Sequence, residues 1–178
     1  VNESIEAAEE AGTATEKDKT LKVIEVTPYR TESGYSDKRR PDSVSFSEKI
    51  EDDLKRRDFT INAIAYDPEA GEIIDLYDGI KDIKDKILRA VGDPKERFSE
   101  DALRIIRAVR IHAELGFAID PHTKEGMKAS AEHLSHIAKE RIREEFSRIL
   151  LSDNPKEALE ICHEMGILKF IAPELEAA

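Results

Sequence analysis

The chain has 178 residues, with 28 Lys and Arg against 39 Asp and Glu, a formal net charge of −11 at pH 7 and a single cysteine. This length allows one modest core or two small ones, and the lone cysteine excludes an internal disulfide framework. The acidic balance is unfavourable for a free-standing RNA binder, because phosphate binding relies on Lys and Arg. The sequence contains no apolar run of about 18 residues and no signal-peptide core, so we expect a cytoplasmic protein with no membrane partner.

The first half of the sequence predicts short, mixed elements. Alternating apolar residues favour strands, and clusters of Gly, Ser and Pro favour loops. In chain order the prediction is an acidic, disordered or loosely helical segment at 1–20, a strand at 21–26, a mobile loop at 31–41, a helix at 47–56 with a short helical segment up to 64, and short strands at 73–74 and 87–91.

The second half predicts a bundle of about four helices. Pro94, Pro121 and Pro155 each follow an Asp or Asn, the arrangement of a helix cap followed by proline at the first helical position. Gly116 and Gly166 fall where helices should end. The fold class predicted for the whole chain is therefore α+β.

A charged helical face at residues 99–110 carries the strongest functional signal. At about 100° per residue, the apolar side chains gather on one face and the charged ones on the other. An acid one turn before a guanidinium places a hydrogen-bond acceptor beside a donor fork, which suits a planar polar edge. The alternative is an ordinary solvated face held by weak pairs along the helix. The charged residues are Glu100, Asp101, Arg104, Arg107 and Arg110.

The pair Asp101 and Arg104 is suited to two of the four nucleobases. Cytosine and adenine each place an exocyclic amine beside an unprotonated ring nitrogen, so an acid and a guanidinium can accept both. Uracil and guanine place a carbonyl beside a ring N–H, and mismatched polar partners in a buried site are costly. Arg107 and Arg110, further along the face, are candidates for the charge of a triphosphate.

Several motifs together resemble the class II tRNA nucleotidyltransferases, that is, the bacterial CCA-adding enzymes and their poly(A) polymerase relatives. The resemblance runs in order from about residue 21 to the C-terminus, and motifs of this length rarely arise by chance. They are Glu-Asp-Asp-Leu-Lys-Arg-Arg-Asp-Phe-Thr-Ile-Asn-Ala at 51–63, Asp-Leu-Tyr-Asp-Gly at 75–79, the segment 96–110, and Lys-Glu-Arg-Ile at 139–142.

The resemblance implies a role for each matching position. Arg57 is expected to contact the nucleotide, and Asp58 to select ribose by accepting a hydrogen bond from its 2′-hydroxyl. Glu100, Asp101 and Arg104 correspond to the part that selects CTP and then ATP, with Arg107 and Arg110 as further nucleotide contacts. Gly79 would give backbone freedom to a joint at 75–88. The helix near 139–150 would support the neck without a contact of its own.

One part of the family pattern does not occur in this sequence. The family carries a glycine-rich turn and then two aspartates one residue apart, which hold two Mg²⁺ ions, and the first twenty residues here contain neither. We therefore expect a fragment with little or no transfer activity alone, for which another chain could supply the missing part of the palm. Glu25 is a candidate catalytic carboxylate, or else the outward residue of an edge strand. The histidines show no metal-ligand spacing, so no metal ligand is predicted.

The resemblance predicts a partial nucleotidyltransferase palm at 21–92 and a helical, nucleotide-selecting neck at 93–178, after the segment 1–20. The function it implies is addition of CCA to tRNA 3′ ends from CTP and ATP. Three alternatives stay open: a non-catalytic remnant that binds nucleotide or RNA, a subunit of a split enzyme, and a relative that adds poly(A), only CC or only A. A purely structural helical module would leave the motif at 56–63 unexplained.

Overall fold

The computed structural model describes residues 26–34 and 43–176. The segment at 1–20, Glu25 and nearly all of the strand predicted at 21–26 lie outside these residues. The first described elements, β1 (Arg30–Ser33) and β2 (Ser43–Phe46), pair as an antiparallel hairpin. The loop predicted at 31–41 is therefore wrong at its start, where Thr31 pairs with Ser45 and donates its hydroxyl to the Ser45 carbonyl.

The helix predicted at 47–56 is α1 (Ile50–Lys55), shorter than expected at its N-terminal end. Ser47 is the reason, because its hydroxyl donates to Asp52 Oδ2 at 2.6 Å and accepts the Lys49 N–H at 3.0 Å, which holds residues 47–49 in a turn. A 3₁₀ helix (Thr60–Asn62) follows, in agreement with the predicted helical segment. Arg56, Arg57 and Asp58 lie in the short connection between these two helices, and the helices fix where they lie.

An antiparallel hairpin of β3 (Ile64–Asp67) and β4 (Glu72–Asp75) comes next. The sequence predicted only the second strand, because four residues that follow a helical segment offer too little alternation to be recognised. Asp67 Oδ1 accepts the N–H groups of Glu69 and Ala70, and Gly71 closes the turn with φ of 71°.

Helix α2 (Gly79–Asp85) leads into β5 (Ile87–Leu88). Backbone freedom at Gly79 was the wrong explanation, because the left-handed residues of this joint are Asp78 and Lys86, with φ of 58° and 54°, and Gly79 is not one of them. Gly79 is required for close approach: a Cβ there would overlap the Thr60 carbonyl oxygen and lie 2.8 Å from Ile64 Cγ1. The segment 75–88 is thus a tightly packed junction.

The second half is helical, as predicted. Asp93 and Asp120 accept backbone N–H groups at the starts of two helices, whereas Asn154 donates its side chain to the Ala113 carbonyl instead of capping its own helix. Gly116, with φ of 65°, ends a long helix. The helices are α3 (Pro94–Glu100), α4 (Leu103–Leu115), α5 (Pro121–Ser130), α6 (Lys139–Leu150), α7 (Pro155–Glu164), α8 (Leu168–Ile171) and α9 (Pro173–Glu176), with a 3₁₀ helix (Ala131–His136) after α5.

An ionic junction beside β5 joins the two halves of the described chain. A two-residue strand, β6 (Ala118–Ile119), pairs in parallel with β5. Next to it, Arg89 bridges Asp82 at 3.1 Å and Asp120 at 2.8 Å, while Thr60 donates its hydroxyl to Asp82 at 2.7 Å. Asp82 is almost fully buried, so this network ties α2 and β5 to the cap of α5.

A single apolar core joins both halves of the described chain. Phe59 and Leu88 from the first half pack in one cluster with Ile105, Ile106 and Val109 of α4, and all five are fully buried. The predicted α+β class is confirmed. In the part of the chain that the structure describes, every helix is too short or too polar to cross a membrane.

Candidate functional site

A cleft of about 830 Å³ opens where the segment after α1 meets α4 and α6. Six arginines and five carboxylates line it, so it is close to neutral. This balance means that the ion pairs within the cleft decide which groups are available to a ligand. The charged lining residues are Arg56, Arg57, Asp58, Asp101, Arg104, Arg107, Arg110, Glu114, Arg141, Glu144 and Glu145.

The cleft brings together most of the residues singled out in the sequence. Glu100 is the exception among the residues predicted to contact a nucleotide, since it does not line the cleft. It lies behind Arg104, where its two oxygens accept from Arg97 Nη2 at 2.5 Å and Arg104 Nη1 at 2.7 Å. Those that share the cleft are Arg57, Asp58, Asp101, Arg104, Arg107 and Arg110.

The continuous helix predicted across 99–110 is wrong. Helix α3 ends at Glu100, Asp101 is extended with φ of −140°, and α4 begins at Leu103. Asp101 causes the break, because its Oδ1 accepts the Leu103 N–H at 3.0 Å and its carbonyl accepts the Arg104 N–H. Aspartate competes in this way with helix continuation. Asp101 therefore reaches the cleft from the turn between α3 and α4, and Arg104 reaches it from the first turn of α4.

Asp101 and Arg104 are not ion-paired to each other. Asp101 Oδ2 accepts a long hydrogen bond of 3.5 Å from Arg141 Nη2, and a carboxylate oxygen has a second acceptor position that a ligand can use. The Arg104 guanidinium donates Nη1 to Glu100 Oε2 and the Arg97 carbonyl, and Nη2 to the Arg56 carbonyl at 3.1 Å. Among the described residues these acceptors use three of its five N–H groups, so Nε and one Nη2 hydrogen are left for a ligand.

Asp58 and Arg107 pair with each other across the cleft. Asp58 Oδ2 accepts Arg107 Nε at 2.9 Å and Nη2 at 2.6 Å, and Oδ1 accepts the Phe59 N–H and Asn62 Nδ2. Burial acts to raise the pKa of Asp58, but the Arg107 charge and these hydrogen bonds outweigh it and hold the pKa below its ordinary value. All four acceptor positions of the carboxylate are filled. A 2′-hydroxyl would have to replace one of these donors.

Arg110 is neutralised by two carboxylates. Its Nε lies 2.5 Å from Glu145 Oε2 and its Nη1 2.5 Å from Glu114 Oε2, and only 8% of its side chain is exposed. Glu145 and Arg141 both come from α6 and line the cleft, so this helix supports α4 through the ion pair from Glu145 to Arg110. Sequence reasoning missed the contact between Arg110 and Glu145 because 35 positions separate the two residues.

Arg57 is the most exposed of the predicted cleft cations, with 45% of its side chain accessible. It is held by Asp53, a buried residue of α1 that sequence reasoning did not single out. Burial acts to raise the pKa of Asp53, but hydrogen bonds from Arg56 and Arg57 and their charges lower it overall. The three- and four-residue spacing from Asp53 to the two arginines was the available signal.

The carboxylates of the described residues do not form a metal site. Across residues 26–34 and 43–176, no group of three or more His, Cys, Asp or Glu side chains is arranged to hold a metal ion. In the cleft, Asp58 and Glu145 are already bonded to guanidinium groups. Cys162 is buried in α7, where desolvation raises the pKa of its thiol to about 12, so it is a packing residue.

Two family models match the sequence. Residues 1–89 match the poly A polymerase head domain, and residues 116–178 match a probable RNA and SrmB-binding site of polymerase A. The CCA-adding enzyme of Leuconostoc citreum (strain KM20) is 50% identical over 147 residues, which are 83% of this chain and 36% of that protein.

Solved structures resemble this fold closely. The Bacillus stearothermophilus CCA-adding enzyme in complex with CTP superposes with a TM-score of 0.73 at 42% identity, over 82% of this chain and 34% of that one. The Thermotoga maritima CCA-adding enzyme complexed with tRNA-CCA gives a TM-score of 0.65 at 32% identity, over 70% of this chain and 31% of that one. The chain thus spans about a third of the length of these relatives.

Proposed function

Because the chain belongs to the poly(A) polymerase head-domain family of nucleotidyltransferases, which includes the CCA-adding enzymes, we propose that its cleft selects CTP and ATP for addition to tRNA 3′ ends. One observation carries the proposal: Asp101, with an available acceptor oxygen, and Arg104, with available donors, line the same cleft as Arg57 and Asp58. The relatives named above, one in complex with CTP and one with tRNA-CCA, support this choice of ligands.

The proposed selection of the base depends on matching donors with acceptors. The Asp101 carboxylate accepts the exocyclic amine of cytosine or adenine, and Arg104 donates to the adjacent ring nitrogen. Uracil would turn a carbonyl oxygen toward the carboxylate and a ring N–H toward the guanidinium. Each unsatisfied group in such a partly desolvated site costs about 1–3 kcal/mol, so the two mismatched groups together are enough for at least tenfold discrimination.

The proposed contacts to sugar and phosphate differ in how easily they are made. Arg57 is the readiest cation for a phosphate, because it is the most exposed of the predicted set. Arg107 and Arg110 would have to leave carboxylate partners, and Arg110 is almost fully buried. Asp58 would accept the ribose 2′-hydroxyl in place of one donor it now binds. We therefore assign Arg57 the first phosphate contact.

Magnesium and the transfer step lie beyond what the described residues support. The family resemblance implies Mg²⁺, but these residues contain no cluster that fits it, and no step of the reaction is assigned to them. Their proposed work is to bind and discriminate the nucleotide. From the family to which the chain belongs, we also propose that the protein is cytoplasmic.

Calorimetry with all four nucleoside triphosphates tests the proposed selection. CTP and ATP should bind at least tenfold more tightly than UTP and GTP, and Arg104→Ala should abolish the preference for CTP and ATP over UTP. Arg143→Ala is the matched control, since Arg143 is exposed on α6 and does not line the cleft. Equal binding of all four nucleotides to the unmodified chain would overturn the proposal.

Transfer to tRNA needs a separate assay. Labelled CTP and ATP are offered to tRNA lacking CCA, with this chain alone and with this chain mixed with a second polypeptide that carries the family's glycine-rich turn and paired aspartates. Incorporation only in the mixture would identify a split enzyme. The nucleotides incorporated would separate CCA addition from addition of CC, A or poly(A), and no incorporation in either case would indicate a non-catalytic nucleotide-binding remnant.

A further inference from the structure

Asp53 lies at the end of α1 nearest the cleft and grips both arginines of the motif at 56–63. We infer that Asp53 is a positioning residue of the nucleotide cleft, which fixes Arg57 at the cleft wall and, through the backbone of Arg56, the guanidinium of Arg104. The inference rests on the proposed function, because it concerns the same cleft and the same ligands.

The carboxylate divides its two oxygens between the two arginines. Oδ1 accepts Arg56 Nε at 3.0 Å and Nη2 at 2.5 Å, whereas Oδ2 accepts Arg57 Nε at 3.3 Å and Nη2 at 2.8 Å. Each arginine is thus held through two neighbouring nitrogens, which fixes the plane of the guanidinium as well as its position. A single charge contact would leave that plane free to rotate.

The Asp53 and Arg57 side chains differ in burial in a way that suits positioning. The Asp53 side chain is only 8% exposed, whereas that of Arg57 is 45% exposed and lines the cleft. The anchor is therefore shielded from solvent and the group it holds is open to a ligand. In the described chain, Arg57 has no acceptor other than Asp53, so its Nη1 group is left to bind a ligand.

A second contact extends the effect of Asp53 to Arg104. The Arg56 carbonyl accepts Arg104 Nη2 at 3.1 Å, and Arg97 Nη1 donates to the Lys55 carbonyl at 3.2 Å. The last turn of α1 thus receives two guanidinium groups from the helical half. Since Asp53 fixes residues 56 and 57 at this turn, its removal would disturb both the phosphate side and the base side of the cleft.

The simpler interpretation is that Asp53 only stabilises α1. Pairs at three- and four-residue spacing stabilise a helix only weakly. In that case the loss of Asp53 would lower the melting temperature, and its effect on CTP affinity would not depend on Arg57. The two interpretations therefore differ in how Asp53 and Arg57 couple in nucleotide binding.

A double-mutant cycle on CTP affinity, with melting temperature measured in parallel, separates them. Asp53→Asn should weaken CTP binding about tenfold, equivalent to about 1.4 kcal/mol, and should have a clearly smaller effect in the Arg57→Ala background, where only the contact through Arg56 to Arg104 remains. Asp52→Asn is the matched control on the same helix, where Asp52 accepts only the Ser47 hydroxyl among described residues, and it should bind CTP normally.

The outcomes are distinguishable. If the unmodified chain binds CTP but Asp53→Asn binds it equally well, or if the loss is the same with and without Arg57, the positioning role is wrong and the proposed function stands. If the unmodified chain does not bind CTP, the proposed function itself fails. Should Asp53→Asn not fold, Asp53→Glu keeps the charge, moves the carboxylate and enters the same cycle with the same criteria.

Discussion

Arg107 Nη2 lies 2.6 Å from Asp58 Oδ2, although the two residues are 49 positions apart. Asp58 follows the two arginines after α1, and Arg107 lies in α4, so this ion pair joins the two halves of the cleft. Asp58 and Arg107 were each predicted to contact a nucleotide, and in the folded chain they are bonded to each other.

The first prediction concerns the stability that this pair supplies. Arg107→Ala should lower the free energy of unfolding by about 2 kcal/mol, because it leaves a largely buried carboxylate without its charged partner. Arg148→Ala removes an arginine from a more exposed pair with Glu114 and should cost less than about 1 kcal/mol. Urea unfolding at pH 7 measures both, and equal effects would show that the Asp58 pair is no stronger than a surface pair.

The second prediction concerns acid stability. The pKa of Asp58 lies below its ordinary value of 3.8 in the folded chain, so its contribution is fully present above that value and is lost as the pH falls through the folded pKa. Asp58→Asn should therefore be less stable than the unmodified chain at pH 7, and the gap should narrow toward pH 3. Urea midpoints across this range measure the gap. A gap that stays constant would contradict the assigned direction.

Local signals in the sequence predicted those features of the fold that depend on neighbouring residues. Helix α6 has the predicted bounds, and the Asp-Pro pairs begin helices as expected. The break at Asp101 was missed because its side-chain bond to the Leu103 N–H competes with a helical periodicity that continues through it. In this case a local polar contact outweighed the pattern.

The composition of the cleft was predictable but its pairing was not. Motif resemblance located six of the residues that line it, and these six are close together, but it did not locate Glu114, Glu144 or Glu145. Which acid neutralises which arginine depends on how α4 and α6 pack, and no periodicity encodes the contact between Arg110 and Glu145. The sequence therefore suggested more available cations than the folded cleft provides.

The third prediction concerns Gly79. Gly79→Ala should destabilise the fold by about 2 kcal/mol, because the new methyl group would overlap the Thr60 carbonyl oxygen at the junction beside Asp82. Lys81→Ala, at an exposed position on the same helix, should change stability by less than about 0.5 kcal/mol. Urea denaturation of both variants compares them. A neutral Gly79→Ala would mean that α2 can shift away from the 3₁₀ helix without cost.

The most direct test of base selection is the ratio of CTP to UTP affinity in Asp101→Asn, measured by calorimetry beside the unmodified chain. An asparagine of nearly the same shape offers both a donor and an acceptor, so it can satisfy either pyrimidine. We expect the unmodified chain to favour CTP at least tenfold and the variant to bind the two within about threefold of each other. A variant that keeps the full preference for CTP would contradict the assignment of Asp101 as the acceptor that reads the base.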